Sequence, residues 1–205
     1  MALGHQQTHR VTKRTAPAKT KVKTKTKPED RVETDVLLAI KPEHLNNIAR
    51  QKKNHEYRKY RLRDGVERLW LYETGDNNGR SAITYVFSPL FLSLPLSSSC
   101  HSIPALTAGR HVAVIPSDIR RTPGEVPTEP FGIGNEDFNA GLKQSKYGYP
   151  VLELYELVKP VKLGEMKSRW GMGGAPMGWR YLGTGLWEDR WGAEDGRDDK
   201  VKKLF

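Results

Sequence analysis

The stretch Gln51-Lys52-Lys53-Asn54-His55-Glu56-Tyr57-Arg58 sets Lys53, Glu56 and Arg58 at the spacing K-x-x-E-x-R. In an extended segment Glu56 and Arg58 point to one face and Tyr57 to the other. Lys53 stands just before that segment and can lean over the same face. Three charges on one patch are costly to bury unless they pair with one another or meet a polar ligand. Two chemistries are open to such a patch. Charged Lys53 and Arg58 can hold phosphate oxygens, Arg58 in a planar fork and Lys53 as a point charge. Lys53, if desolvated, can instead act as base or nucleophile with Glu56 as its acid/base partner. The plain alternative is a solvated ion-pair ladder on a strand, which contributes little.

The elements around the patch read as short and mixed. Asp35 to Ile40 is an apolar run fit for a buried strand. Lys41-Pro42-Glu43 opens a helix, with Pro42 at its first position and Leu45, Ile48 and Ala49 as its apolar stripe. A charged strand follows from about His55 to Arg61, and Asp64-Gly65 marks a turn. Glu67 to Glu73 alternates, Leu69 and Leu71 on one face and Trp70 and Tyr72 on the other. Ala82 to Tyr85 begins another strand, and His111 to Ile115 is β-like. Asn135 is placed to cap a short helix through Lys143. Tyr149 to Val158 reads as one long β-rich run with Leu152, Leu154 and Tyr155 toward a core. Leu163 to Trp170 is a short helix. The expected fold is α+β, a small partly closed β-barrel with two or three short helices.

Charge is unevenly spread. The chain has 205 residues and a formal net charge of +10. Residues 1–33 carry +6 and residues 34–65 carry +4, while the remainder balances. Such asymmetry points to an acidic partner, most often nucleic acid. Residues 1–33 lack apolar periodicity and carry Lys19, Lys21, Lys23, Lys25 and Lys27 in alternation. They read as a disordered basic tail, serving nuclear import or loose phosphate binding. Nuclear location is favoured over cytoplasmic on this ground. A single Cys excludes an internal disulfide framework, and the six His show no metal-ligand spacing, so no metal or cofactor is expected. No membrane partner is expected, and a monomer is the default in the absence of a coiled-coil pattern.

A strand, a helix opening with Lys-Pro-Glu, then K-x-x-E-x-R, then a strand ending Tyr72-Glu73-Thr74 resembles the ASCH (activating signal cointegrator homology) family of the PUA-like superfamily. The family signature is G-x-K-x-x-E-x-R. Lys53, Glu56 and Arg58 match it, and Gln51 stands at the Gly position. The resemblance covers Asp35 to Tyr85 well and residues 111–192 more loosely. It implies an ASCH/PUA-like domain over 34–192 and a cleft lined by the motif for RNA or a nucleotide-like ligand. Some relatives are amidohydrolases acting on acylated cytidine, others ribonucleases. The amidohydrolase pattern has Thr where this chain has Glu56, so only Lys53 matches it.

Four segments stand out by composition. Residues 86–109 hold no Lys, Arg, Asp or Glu in a chain that is 28% charged, and they contain Cys100, the only cysteine. They are too short and too Pro-broken to span a membrane. One reading is a translated, unspliced intron, since a Val codon can begin with GT and the length keeps the frame; excision would fuse Ile83-Thr84-Tyr85 to Val112-Ala113-Val114-Ile115. The other is a genuine apolar loop or docking arm. Four of the five Trp lie between Trp170 and Trp191, around the Gly-rich run 171–178. The run is either a mobile loop carrying Trp179 and Tyr181 to stack on a base, or part of an aromatic plug with Met172 and Met177 filling gaps. The Pro/Gly-rich stretch 122–134 reads as a lid ending near Asn135, Asn139 and Lys143. Residues 193–205 read as a solvated charged tail.

The function expected from these residues is a noncatalytic module for RNA or single-stranded nucleic acid. Lys53, Glu56, Arg58, Tyr57, Trp179 and Tyr181 are its candidate binding residues. The alternatives are a nucleoside- or RNA-directed hydrolase with Lys53 and Glu56 as its catalytic residues, and a nuclear adaptor binding protein partners.

Overall fold

The structure is a computed structural model that describes residues 1, 30–88, 120–192 and 197–205. Strand β1 (Arg31–Ile40) leads into helix α1 (Pro42–Ala49), strand β2 (His55–Arg58) and strand β3 (Arg68–Glu73). Strand β4 (Ala82–Ser88) precedes the first undescribed internal stretch. Beyond it come α2 (Asn135–Asn139), β5 (Tyr147–Pro150), β6 (Glu153–Lys162), α3 (Leu163–Trp170), β7 (Trp179–Gly183), α4 (Thr184–Arg190) and β8 (Val201–Lys203).

Six strands form one sheet in the order β7-β1-β3-β4-β6-β8, and β2 pairs with β5 in a second, two-stranded sheet. β1 and β3 run parallel, Asp35 opposite Arg68 through Ile40 opposite Glu73. A parallel pair needs a long crossover, and α1 with β2 supplies it. The other pairings are antiparallel. The fold is therefore mixed α+β. Its hydrogen-bonded ladder does not close: β7 and β8 are the two edges, where a closed barrel would have none.

Alternation in β1 and β3 gives the sheet two buried faces. Val36, Leu38, Leu69 and Leu71 pack on one side with Leu45 and Ile48 of α1, Phe87 and Leu154. Leu37, Trp70, Tyr72 and Ile83 pack on the other with Val161, Met166 of α3 and Leu186 of α4. Pro42 sits at the first position of α1, and Leu45 and Ile48 are its buried stripe, as its spacing predicts. Asp35 is fully buried among these strands. Arg68 grips both its oxygens at 2.8 Å and Trp70 Nε1 donates to Oδ1 at 2.8 Å, so the buried charge is paired and hydrogen-bonded.

Several boundaries differ from those expected, each for a long-range reason. β1 begins at Arg31, inside the expected tail, because Arg31 and Val32 pair with Gly183 and Leu182; the rest of that tail lies outside the described residues. The charged strand stops at Arg58, opposite Tyr147, where its antiparallel partner β5 begins. The run from Tyr149 is two strands, since β5 pairs with β2 and β6 with β4. Leu152 lies between them, 38% exposed, while Leu154 is buried. Asn135 does not cap α2. Gly134 does, at a φ of 86°, and the Asn135 side chain accepts a hydrogen bond from the Tyr57 hydroxyl instead. Residues 197–205 are not a solvated tail: β8 joins β6, Val201 is buried and Phe205 packs on the core, while residues 193–196 lie outside the described residues. β4 runs three residues into the uncharged segment 86–109, and Val86 and Phe87 are fully buried in it. Residues 89–109, with Cys100, and the β-like stretch 111–115 lie outside the described residues.

Candidate nucleic-acid interface

The motif begins at the turn that ends α1. Gln51 N–H donates to the Ile48 carbonyl at 2.8 Å, and Lys52 and Lys53 N–H donate to Asn47 at 2.9 and 3.0 Å. Gln51 closes this turn at a φ of 58°, the left-handed region that glycine adopts most readily. The tight turn thus forms with Gln51 in the glycine position. It leads through Lys53 into β2.

β2 then sorts its residues by face, as the spacing predicts. Glu56 turns inward and is 3% exposed. Lys53 Nζ donates to Glu56 Oε2, and Arg58 Nη2 meets Glu56 Oε1 at 2.9 Å. Arg58 also donates to the Ala39 carbonyl at 2.8 Å, tying the small sheet to β1. Tyr57 faces the other way, its hydroxyl on Asn135 at 2.7 Å and its ring 4.4 Å from that of Phe138. Burial pushes the Glu56 carboxyl up, but Lys53 and Arg58 outweigh it and hold the group below its usual value. The patch is therefore a buried ion cluster and not the solvated ladder. The two Glu56 oxygens are already committed, one to Lys53 and one to Arg58, and an ionised, paired carboxylate is a weak proton acceptor at neutral pH.

The surroundings of the cluster are polar and held in place. His55 is buried, and burial, followed by the charges of Arg121 and Lys53, lowers it to about 4, so it is neutral at pH 7. Its Nδ1 lies 2.9 Å from Asn54 Oδ1, while Asn54 Nδ2 donates to the Pro130 carbonyl at 2.9 Å. The Tyr60 hydroxyl is raised by burial against the opposing pull of Arg58. Neither that hydroxyl nor Arg58 Nε completes a hydrogen bond of good geometry. The stretch expected as a lid is pinned. Asn139 accepts from the Gly124 and Val126 N–H groups at 3.1 Å each, and Ile133 N–H donates to Lys52. Lys143 lies 3.4 Å from Asp137.

Of the expected binding residues, Lys53 lines one concavity and Trp179 and Tyr181 another, while Glu56 and Arg58 line neither. Lys53 lines a cavity of about 240 Å³ with Gln51, Asn54, Phe131, Val151 and Phe205. Trp179 and Tyr181 line another of about 470 Å³ with Arg31, Arg63 and Arg180. Their rings meet edge-to-face at 5.4 Å, Tyr60 approaches Trp179 at 6.4 Å, and the Arg31 guanidinium lies 4.8 Å over Tyr181. The two regions join through the backbone, since Ala39, which accepts from Arg58, donates to Gly178 next to Trp179. Trp179 and Tyr181 belong to β7 and not to a mobile loop, because β1 pairs with that segment. Of the expected gap-filling methionines Met172 is buried, but Met177 is 99% exposed. Trp170 packs half-buried against the second core cluster, as a plug would. Tyr57 is committed to Asn135 and Phe138 and lines neither concavity.

Arg31, Arg63 and Arg180 are absent from the residues expected from sequence. The signal for Arg180 was its place between two aromatics in a strand pattern, Trp179-Arg180-Tyr181. Arg31 and Arg63 converge on it only through tertiary pairing. Among the described residues no cluster of His, Cys, Asp and Glu could hold a metal ion, and no helix is long and apolar enough to cross a membrane.

No protein-family model and no curated protein matches this sequence. Three solved structures are similar to it. ASCH from Zymomonas mobilis has a TM-score of 0.43 at 12% identity, covering 74% of this chain and 89% of that one. A serine-to-alanine mutant of the Zymomonas mobilis protein has a TM-score of 0.42 at 12% identity over 74% and 90%. A tyrosine-to-phenylalanine mutant gives 0.41 at 12% over 73% and 90%. The chain is similar to ASCH structures, the family its K-x-x-E-x-R run resembles.

Proposed function

We propose that this chain is a monomeric ASCH/PUA-like module that binds RNA or another single-stranded nucleic acid. The observation that carries this reading is the concavity in which Arg31, Arg63 and Arg180 surround Trp179 and Tyr181. Arginines for phosphate and an aromatic face for a base are the two parts that single-strand recognition needs. Glu33 pairs with Arg31 at 2.7 Å; Arg63 and Arg180 have no carboxylate partner among the described residues. The Lys53 cavity is the second part of the same face, and the buried Glu56–Arg58 pair is the rigid joint between the two. Lys53 and Arg58 act in this reading as buried framework, and not as free phosphate clamps. The lysine-rich sequence before Asp30 supports a nuclear, nucleic-acid-rich setting.

A hydrolase centred on Lys53 and Glu56 has less support, because each is the other's ion-pair partner. The test is fluorescence anisotropy of a labelled single-stranded RNA with the full chain across a salt series. Trp179→Ala is expected to weaken binding by about 5- to 150-fold, one stacked base. Arg63→Ala with Arg180→Ala is expected to flatten the log–log salt slope by about 1.4, at roughly 0.7 per phosphate contact. Unchanged affinity and slope in folded variants would remove the reading, and RNA turnover lost in Lys53→Met would replace it with the hydrolase.

A further inference from the structure

β7 is an edge strand, paired with β1 on one side and with no strand on the other among the described residues. Two concavities straddle it. One is the arginine–aromatic concavity. The other, about 320 Å³, lies on the side of the second core cluster and is bounded by Trp170, Arg169, Leu186, Thr184 and Asp30. Arg180 and Tyr181 line both. A volume of this size is within the range of small-ligand sites, about 300–1,000 Å³.

The charges in the two concavities differ, and the difference orders a ligand. In the second cavity Arg169 is neutralised by Glu165 and Asp189, each at 2.9 Å. Asp30 has no ion-pair partner there among the described residues. An unneutralised carboxylate repels a phosphate and accepts hydrogen bonds from an amino group on a base. The half-buried Trp170 supplies the apolar wall, with Leu186 buried behind it, and the guanidiniums of Arg169 and Arg190 lie 4.6 and 5.6 Å over the Trp170 ring. Arg180, without a carboxylate partner among the described residues, is shared by both concavities. The arginines on this edge favour a polyanion over a peptide strand.

Resting on the nucleic-acid reading above, we infer that a single strand crosses the β7 edge with a two-base footprint. One base stacks at Trp179, the connecting phosphate meets Arg180, and the neighbouring base enters the Trp170 cavity with its amino group on Asp30. The second position then selects amino-bearing bases over uracil.

The test uses the full chain with fluorescein-labelled hexamers of cytidine and of uridine. Gly185 is exposed and lies beside Trp170, where an added Cβ makes ordinary contact at 3.4 Å. Gly185→Leu therefore fills the second cavity, and Gly185→Ala is the control with an unchanged fold. Expected are a loss of about 5- to 150-fold for Gly185→Leu on oligocytidine, little change for Gly185→Ala, and a preference for cytidine that Asp30→Asn abolishes. Gly185→Leu binding oligocytidine like the parent, while Trp179→Ala weakens it, would overturn the two-base footprint and leave the nucleic-acid reading standing. Trp179→Ala without effect would overturn both. Thermal melts of each variant separate loss of binding from loss of fold.

Discussion

Glu56→Gln is the sharpest probe of the cluster at the centre of this fold. The substitution keeps size and one acceptor oxygen but removes the only carboxylate paired with Lys53 and Arg58 among the described residues. Their side chains are 7% and 15% exposed, so neither cation can recover water without the strand moving. Each pair gains roughly 4 kcal/mol of attraction at an effective dielectric near 20, set against several kcal/mol of desolvation per ion. The net worth of such a cluster is small, yet removing one member leaves buried charge uncompensated and costs about 3–5 kcal/mol. That is a large share of a typical stability of about 5–15 kcal/mol. Urea denaturation followed by circular dichroism reads it directly. At a slope near 2 kcal/mol/M the midpoint falls by about 1.5–2.5 M. Adding Lys53→Met removes one of the two orphaned cations and is expected to restore part of the loss. The acid limb gives a second reading. Because Glu56 is lowered in the fold from 4.5, its contribution is fully present above that pH and is lost as pH falls through the folded value. The variant loses this acid dependence. A cost below about 1 kcal/mol at pH 7, the scale of an exposed pair, would refute the buried cluster.

Two further outcomes follow from the same neighbourhood. His55 titrates at about 4 in the fold against 6.5 when unfolded, so protonation favours the unfolded chain. Stability is expected to decline by up to about 3 kcal/mol between pH 6.5 and 4, a decline that His55→Asn removes in a pH series of urea melts and that its persistence would disprove. Gln51→Gly places glycine at a φ of 58°. It relieves about 1–2 kcal/mol of left-handed strain at some cost in chain entropy, so a gain of about 0.5–1 kcal/mol is expected in the same assay, and a loss would show that the Gln51 side chain stabilises the turn.

What the sequence disclosed is what depends on neighbours in the chain. Alternation in Leu69-Trp70-Leu71-Tyr72 assigns both faces of β3, and Pro42 sets the start of α1. The spacing of Glu56, Tyr57 and Arg58 gives the orientation of the candidate site. What it concealed is decided by partners far along the chain. Nothing local distinguishes Tyr147–Pro150 from Glu153–Lys162, because the split arises from pairing with different strands. Asn135 has the type of a helix cap, yet the Tyr57 hydroxyl, 78 residues away, claims its oxygen. Trp179 and Tyr181 follow a glycine run that resembles a loop, and only β1 makes them a strand. Arg31, Arg63 and Arg180 carry no shared pattern, so their convergence is invisible before the fold is known.

Asp30 and Arg31, where β1 begins, line the cavities astride β7. Lys27 is therefore bonded to that rim within about 11 Å of chain, and Lys19 within about 40 Å, at roughly 3.6 Å per residue. A covalent leash of this length fixes the effective concentration of the lysines around any polyanion held at the rim. On the proposed nucleic-acid reading, affinities of these lysines and of the folded surface combine as a product and not as a sum. Removing the residues before Asp30 is expected to lower overall affinity far more than the lysines' own weak binding to nucleic acid indicates.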